Sequence, residues 1–154
     1  MNRQMVLFSL FLLLHSTFGW AQGSHIEAIQ ARLFLSHSGT FSDPITDKTK
    51  LWNTLIGEGF AAGEPSGATL VDVILSGKPD SYQKASIVVL EVRSSETKKL
   101  VSRFEQDVGV FSPEGRFHVG FWLANTGCLS LSLTARIKGA KRTMNRVLPF
   151  DCGE

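Results

Sequence analysis

Apolar and polar residues alternate along most of this chain, and a period of two predicts β-strands. In the first such segment, residues 29–36, Ile29, Ala31, Leu33 and Leu35 take the apolar positions. Further strand segments are 69–76, 86–93, 100–108, 117–123, 128–137 and 143–150. Almost no segment carries a 3.6-residue apolar period over a helical length. The pattern therefore predicts an all-β protein.

Short polar turns rich in Gly, Pro and Asp separate these segments at near-regular intervals. Such spacing is typical of two packed antiparallel sheets. We expect an antiparallel two-sheet sandwich of about seven to eight strands, of immunoglobulin-like or transthyretin-like type. Residues 69–76 and 86–93 are apolar enough for central strands. The more charged segment 100–108 suits an edge.

The N-terminus has the layout of a secretory signal peptide. Arg3 precedes an apolar run at residues 5–14, and small residues precede an expected cleavage site after Ala21. A membrane anchor needs about 20 apolar residues, and this run is shorter. We expect a helical signal peptide over residues 1–21 and no stable membrane anchor after its cleavage. The expected localisation is secreted or periplasmic.

Removal of residues 1–21 from the 154-residue chain leaves 133 residues, the size of one domain. Residues 22–154 are therefore expected to form a single β-sandwich domain. They hold fifteen basic and fourteen acidic residues, a formal charge of +1. Nucleic-acid binders carry a basic patch or stripe, so nucleic acid is not an expected partner. The one local basic cluster is interpreted as a solvated hairpin tip: Lys138, Lys141, Arg142 and Arg146.

The only two cysteines, Cys128 and Cys152, are expected to form a disulfide because exported proteins fold in oxidising compartments. If they lay opposite each other in a C-terminal hairpin, Leu133 would face Val147. That register would place Leu148 on the polar side of the hairpin, unless a bulge shifts the pairing. The sequence leaves the register open.

Catalytic and metal-binding patterns are not found in the sequence. His25, His37 and His118 follow the signal peptide, but no G-x-S-x-G elbow accompanies them. No short-spaced set of His, Cys, Asp and Glu suits zinc, and no calcium loop is present. We expect no catalytic residues, no metal and no cofactor. The enzyme alternative is a small secreted hydrolase that uses His37 or His118 with a nearby carboxylate.

Two surfaces are candidates for binding. The first is the glycine-rich loop of residues 57–67, because long loops on rigid sheets commonly bind ligands. Its candidate residues, counting Trp52 just upstream, are Trp52, Glu58, Phe60 and Glu64. The alternative interpretation is that the two aromatic side chains cap the core.

The second candidate surface is one face of the strand over residues 117–123. His118 and Trp122 share this face, and Gly120 between them predicts a shallow notch. The alternative is cross-strand packing against a neighbouring strand.

These observations predict an exported β-sandwich that acts by binding, as an envelope interaction protein or an inhibitor-like accessory module. The expected partner is another protein or a glycan of the cell envelope. One alternative is carbohydrate binding through Trp52 and the loop of residues 57–67. Another is a structural role in a larger envelope assembly.

Overall fold

The structure is a computed structural model that describes residues 23–55 and 63–152. In these ranges the chain forms eight β-strands and no helix. Accordingly, no helix of the described residues has the length and apolar character needed to cross a membrane. The predicted signal peptide lies outside the described residues. The strands are β1 (His25–Leu35), β2 (Thr40–Phe41), β3 (Ala68–Ser76), β4 (Ile87–Ser94), β5 (Leu100–Asp107), β6 (Arg116–Ala124), β7 (Leu131–Ile137) and β8 (Thr143–Leu148).

The strands form two antiparallel sheets of four strands each, which confirms the predicted all-β class. The front sheet has the order β2-β1-β3-β6, and the back sheet has the order β5-β4-β7-β8. The chain crosses from one sheet to the other between β3 and β4, β5 and β6, and β6 and β7. Neighbours in each sheet are thus partly distant in sequence.

One apolar cluster lies between the sheets and takes the alternate residues of nearly every strand. Val71, Val73 and Leu75 of β3 and Leu90 and Leu133 of the back sheet are fully buried in it. Each such side chain contributes about 1.5–3 kcal/mol relative to its exposed state. This layer holds the sheets face to face in a sandwich-like fold.

Most predicted strand positions are close to those of the structure. β3 and β4 are central strands and β5 is an edge strand, as the sequence predicts. β1 begins at His25, four residues before the predicted start, because His25 to Ala28 pair with the end of β3. A two-residue strand, Thr40–Phe41, was not predicted.

The hairpin of β7 and β8 has a different register from the one with Cys128 opposite Cys152. Leu133 faces Arg146 rather than Val147, and Leu131 faces Leu148. A shift of one residue moves every side chain of a strand to the other face of the sheet. The observed register places Leu148 in the core, fully buried.

Cys128 and Cys152 form the predicted disulfide, with Cα atoms 4.7 Å apart. Cys128 lies between β6 and β7, and Cys152 follows β8, so the bond closes the C-terminal hairpin outside its ladder. A loop of this length is worth roughly 3–4 kcal/mol in the chain-entropy model. Leu129, next to Cys128, is 40% exposed rather than buried with Leu131, because β7 begins only after it.

Arg146 joins the two sheets and is not part of a solvated hairpin tip. It points inward from β8, and its Nη1 donates a 2.6 Å hydrogen bond to the carbonyl oxygen of Ile29 in β1. Its Nη2 donates to the carbonyl oxygen of Ile45. Ile45 in turn donates its N–H to Ala31 at 2.8 Å. Arg146 and the segment around Ile45 thereby cover part of the free edge of β1.

We expect Arg146→Ala to lower the free energy of unfolding by about 2 kcal/mol, since hydrogen bonds from a charged donor contribute about 1.5–3 kcal/mol. Urea denaturation measures the change. Arg142→Ala is the matched control, because Arg142 is an exposed arginine of the same hairpin; a change within about 0.5 kcal/mol is expected for it. Equal effects of the two substitutions would contradict the role assigned to Arg146.

Candidate functional site

The structure describes four of the six candidate binding residues and places them in two groups. Trp52 and Glu64 lie at one end of the sandwich, where residues 51–55, 63–67 and 125–130 gather. His118 and Trp122 lie on the outer face of β6. The remaining two candidates, Glu58 and Phe60, are outside the described residues.

Trp52 lies beside the C-terminal segment. It forms an isolated parallel bridge with Asp151, and the N–H of Asn53 donates to the carbonyl oxygen of Asp151 at 2.7 Å. Asp151 precedes Cys152 of the disulfide. Trp52 is 50% exposed and does not belong to the buried core.

Glu64 is tied to the turn between β1 and β2. Its Oε2 accepts a 2.8 Å hydrogen bond from the N–H of Ser38. This bond holds the pKa of the Glu64 carboxyl below its usual value. Since the N–H of Ser36 also donates to Pro65 at 2.9 Å, the described end of the glycine-rich loop is attached to the front sheet.

His118 makes a hydrogen bond that the sequence did not predict. Its Nδ1 lies 2.8 Å from Oδ2 of Asp72 on β3. Because a carboxylate only accepts, the Nδ1–H of His118 is the donor. The other oxygen of Asp72, Oδ1, is buried and has no hydrogen-bond partner among the described residues. Such an unsatisfied group costs about 1–3 kcal/mol.

Gly120 lies opposite Asp72 in the β3–β6 ladder and leaves a depression on the outer face of the front sheet. The depression has a volume of about 260 Å³. The side chains around it are polar at the rim and apolar at one wall: Gln30, Arg32, Asp72, His118 and Leu70. We call it the Gly120 depression. Of the two residues that the sequence placed around the notch, His118 lines this depression and Trp122 does not.

An aromatic cluster borders the Gly120 depression. It consists of Phe34, Phe41 and Trp122, with the ring of Phe34 5.7 Å from Phe41 and 5.2 Å from Trp122. All three pairs are edge-to-face, a favourable geometry for aromatic rings. Phe41 and Trp122 remain 44% and 47% exposed. Trp122 also faces Leu70, which connects the cluster to the depression.

A second cavity opens between the edge strands β5 and β6, with a volume of about 290 Å³. Its lining combines apolar and polar residues: Val101, Phe104, Leu123 and Leu131 with Ser102, Asn125 and Thr126. Trp122 lines this cavity as well. Trp122 thus belongs both to the aromatic cluster and to the lining of this cavity.

His118 and Asp72 form a histidine–carboxylate pair. Asp72 orients His118, as in a catalytic pair, but no Ser, Thr or Cys side chain among residues 23–55 and 63–152 is hydrogen-bonded to His118. The third member of a nucleophilic site is therefore missing from this part of the chain. The same residues contain no group of three or more His, Cys, Asp or Glu able to hold a metal ion.

The sequence contained one signal for Asp72. It is the only charged residue in β3, between apolar neighbours Val71 and Val73. Phe34 and Phe41 gave no comparable signal, because their contact with Trp122 depends on pairing between distant strands.

Comparisons with known proteins assign no family. No protein-family model matches the chain, and none of the curated proteins matches it.

We expect Gly120→Ala to raise the free energy of unfolding by about 0.5–1 kcal/mol, because glycine weakens a strand interior. A Cβ there meets only Leu70, at an ordinary 3.5 Å. Gly77→Ala is the contrasting control, since its Cβ would lie 2.8 Å from the buried Phe111 ring. It should lower stability by about 1–3 kcal/mol. Urea denaturation that ranks Gly120→Ala as the more damaging change would contradict this geometry.

Proposed function

We propose that this protein is an exported, immunoglobulin-like domain that acts by binding a protein or glycan of the cell envelope. The binding surface is the outer face of the front sheet, where the aromatic cluster borders the Gly120 depression. The observation that carries the proposal is this combination of exposed aromatic rings with a concave, partly polar site. Binding sites typically combine apolar surface with a few placed polar groups.

The strand order supports the immunoglobulin-like type. With the short β2 set aside, β1, β3 and β6 correspond to strands A, B and E, and β5, β4, β7 and β8 to strands C′, C, F and G. Immunoglobulin domains place A, B and E in one sheet and G, F and C in the other, with C′ added beside C in some. The disulfide differs from the B–F bond of antibody domains, because Cys128 and Cys152 lie outside those strands.

Export is supported by the N-terminal sequence and by the disulfide. Residues 1–21 have the positive charge, the apolar run and the small-residue cleavage site of a signal peptide. Disulfides persist in oxidising compartments and are rare in the cytosol. The destination is secreted or periplasmic.

Expression of the full chain in a bacterial host should give a product that begins at Gln22 and has no free thiol. N-terminal sequencing and thiol titration of the denatured, unreduced protein measure the two properties. An unprocessed chain that retains residues 1–21, with both cysteines free, would contradict export.

Trp122→Ala should weaken binding about 30-fold, since central aromatic residues contribute about 2 kcal/mol or more to binding interfaces. The assay measures the affinity of the purified protein for solubilised envelope proteins and for an array of glycans. Trp52→Ala is the matched control, because the two tryptophans are equally exposed, at 50% and 47%.

Unchanged binding by Trp122→Ala would contradict the proposed surface. If Trp52→Ala alone abolished glycan binding, the carbohydrate-binding alternative at residues 57–67 would replace it. A folded-state control for both variants is a cooperative urea transition. Its midpoint should fall for Trp122→Ala, because the substitution removes packing against Phe34 and Phe41.

A further inference from the structure

The outer edge of β6 carries backbone groups with no partner among the described residues. β6 lies at the end of the front sheet. Arg116, its first residue, exchanges backbone and side-chain hydrogen bonds with Ser112 on the side away from β3. Because successive residues of an antiparallel strand alternate in direction, His118, Gly120 and Trp122 present their N–H and C=O groups on that same side.

The other sheet edges of the described chain are protected in ways that β6 is not. β2 has only two residues, and β8 has six and ends before Pro149. β5 carries the exposed charged residues Arg103, Glu105 and Asp107. Short strands, prolines and charges are the features that prevent strands from adding to an edge. β6 has nine residues, and Arg116 is the only one that is permanently charged.

The Gly120 depression continues from this edge to Asp72. Gly120 and Asp72 face each other in the ladder, and a strand added beside β6 would place its own residue in the same row. That residue lies about 10 Å from the β3 backbone, which is two strand spacings. Gly120 has no side chain to block the path between them.

Asp72 has hydrogen-bonding capacity that the described chain does not use. Its side chain is 26% exposed, and one of its oxygens lacks a donor. A lysine or arginine reaching over Gly120 supplies the opposite charge and a second donor to Oδ2, the accessible oxygen, since Oδ1 is buried. Arg116 of a second copy is less suited to this role, because it already pairs with Glu27 at 2.9 Å.

The inner side of an added strand meets the cavity between β5 and β6. Its residue opposite Leu123 points toward that cavity, which Phe104 and Leu131 also line. Leu123 is three positions from Gly120 on β6. On the added strand, the residue opposite Leu123 is therefore also three positions from the residue opposite Gly120, whether the strand runs parallel or antiparallel to β6.

We propose that β6 binds an extended peptide segment of another protein by strand addition. The segment carries a lysine or arginine opposite Gly120 and an apolar residue three positions away, over the cavity. Main-chain hydrogen bonds along the edge give affinity, and the two side-chain sites give specificity. This inference rests on the proposed binding function and names the chemical class of the partner.

The test uses a displayed library of nine-residue peptides with all positions randomised, selected on the full chain after processing. Enriched peptides should carry Lys or Arg with an apolar residue three positions away. A synthetic peptide of the most enriched sequence should bind at least 10-fold more tightly than its Lys-to-Gln or Arg-to-Gln form. With the Asp72→Asn variant, the affinity difference between the two peptides should disappear. With Asp107→Asn, a matched substitution on the edge strand β5, the affinity difference should persist.

Amide hydrogen exchange tests the strand addition itself. The peptide should slow exchange at Gly120 and Trp122 at least 10-fold while β5 is unaffected. Enrichment without a basic residue, unprotected β6 amides, or dimerisation of the protein through β6 would each overturn the inference. Failure to enrich any peptide would also overturn it. If the peptide inference fails but binding to an envelope protein or glycan depends on Trp122, the proposed function is still supported.

Discussion

Side chains from both sheets meet in one apolar layer, and the position of every other feature follows from that contact. Val71 and Val73 of the front sheet and Val88 and Leu90 of the back sheet are wholly removed from water. Because strand side chains alternate between two faces, burial of one face fixes which residues occupy the other. The outer faces are therefore determined by the core, including the face that holds Asp72.

The two outer faces differ in how far their polar groups satisfy one another. On the back sheet, Glu91 is within salt-bridge distance of Arg93, Arg103 and Arg136, and Glu105 pairs with Arg103 and Lys138. Arg103 and Lys138 lower the pKa of Glu105. Exposed ion pairs add little stability, but they leave few groups for a partner. The front sheet instead presents exposed rings and an incompletely bonded carboxylate.

The sequence predicts the strands well because alternation is a local property of the chain. It does not predict the pairing of strands that are distant in sequence. The one-residue difference in the β7–β8 register changes Arg146 from a surface residue into a link between sheets. Leu129 shows the same limit, since its exposure depends on where pairing begins.

In the candidate site, too, local features could be predicted from the sequence and contacts between distant strands could not. The common face of His118 and Trp122 could be predicted from their even spacing on one strand. Asp72 could not be placed beside them, because its neighbour in space is 46 residues away in sequence. The positions of Phe34 and Phe41 depend similarly on the pairing of β1 with β2 and β3.

The front face also departs from the pattern that would best stabilise the fold. Gly120 sits in a strand interior where alanine fits, Asp72 has an unbonded buried oxygen, and Trp122 leaves about half of its surface in water. Each of these features has a cost in stability, and a sandwich with a continuous core tolerates them. Local departures from an otherwise consistent fold are expected at functional sites. Three of them on adjacent strands therefore support the proposed binding at this face, since strand formation alone requires none of them.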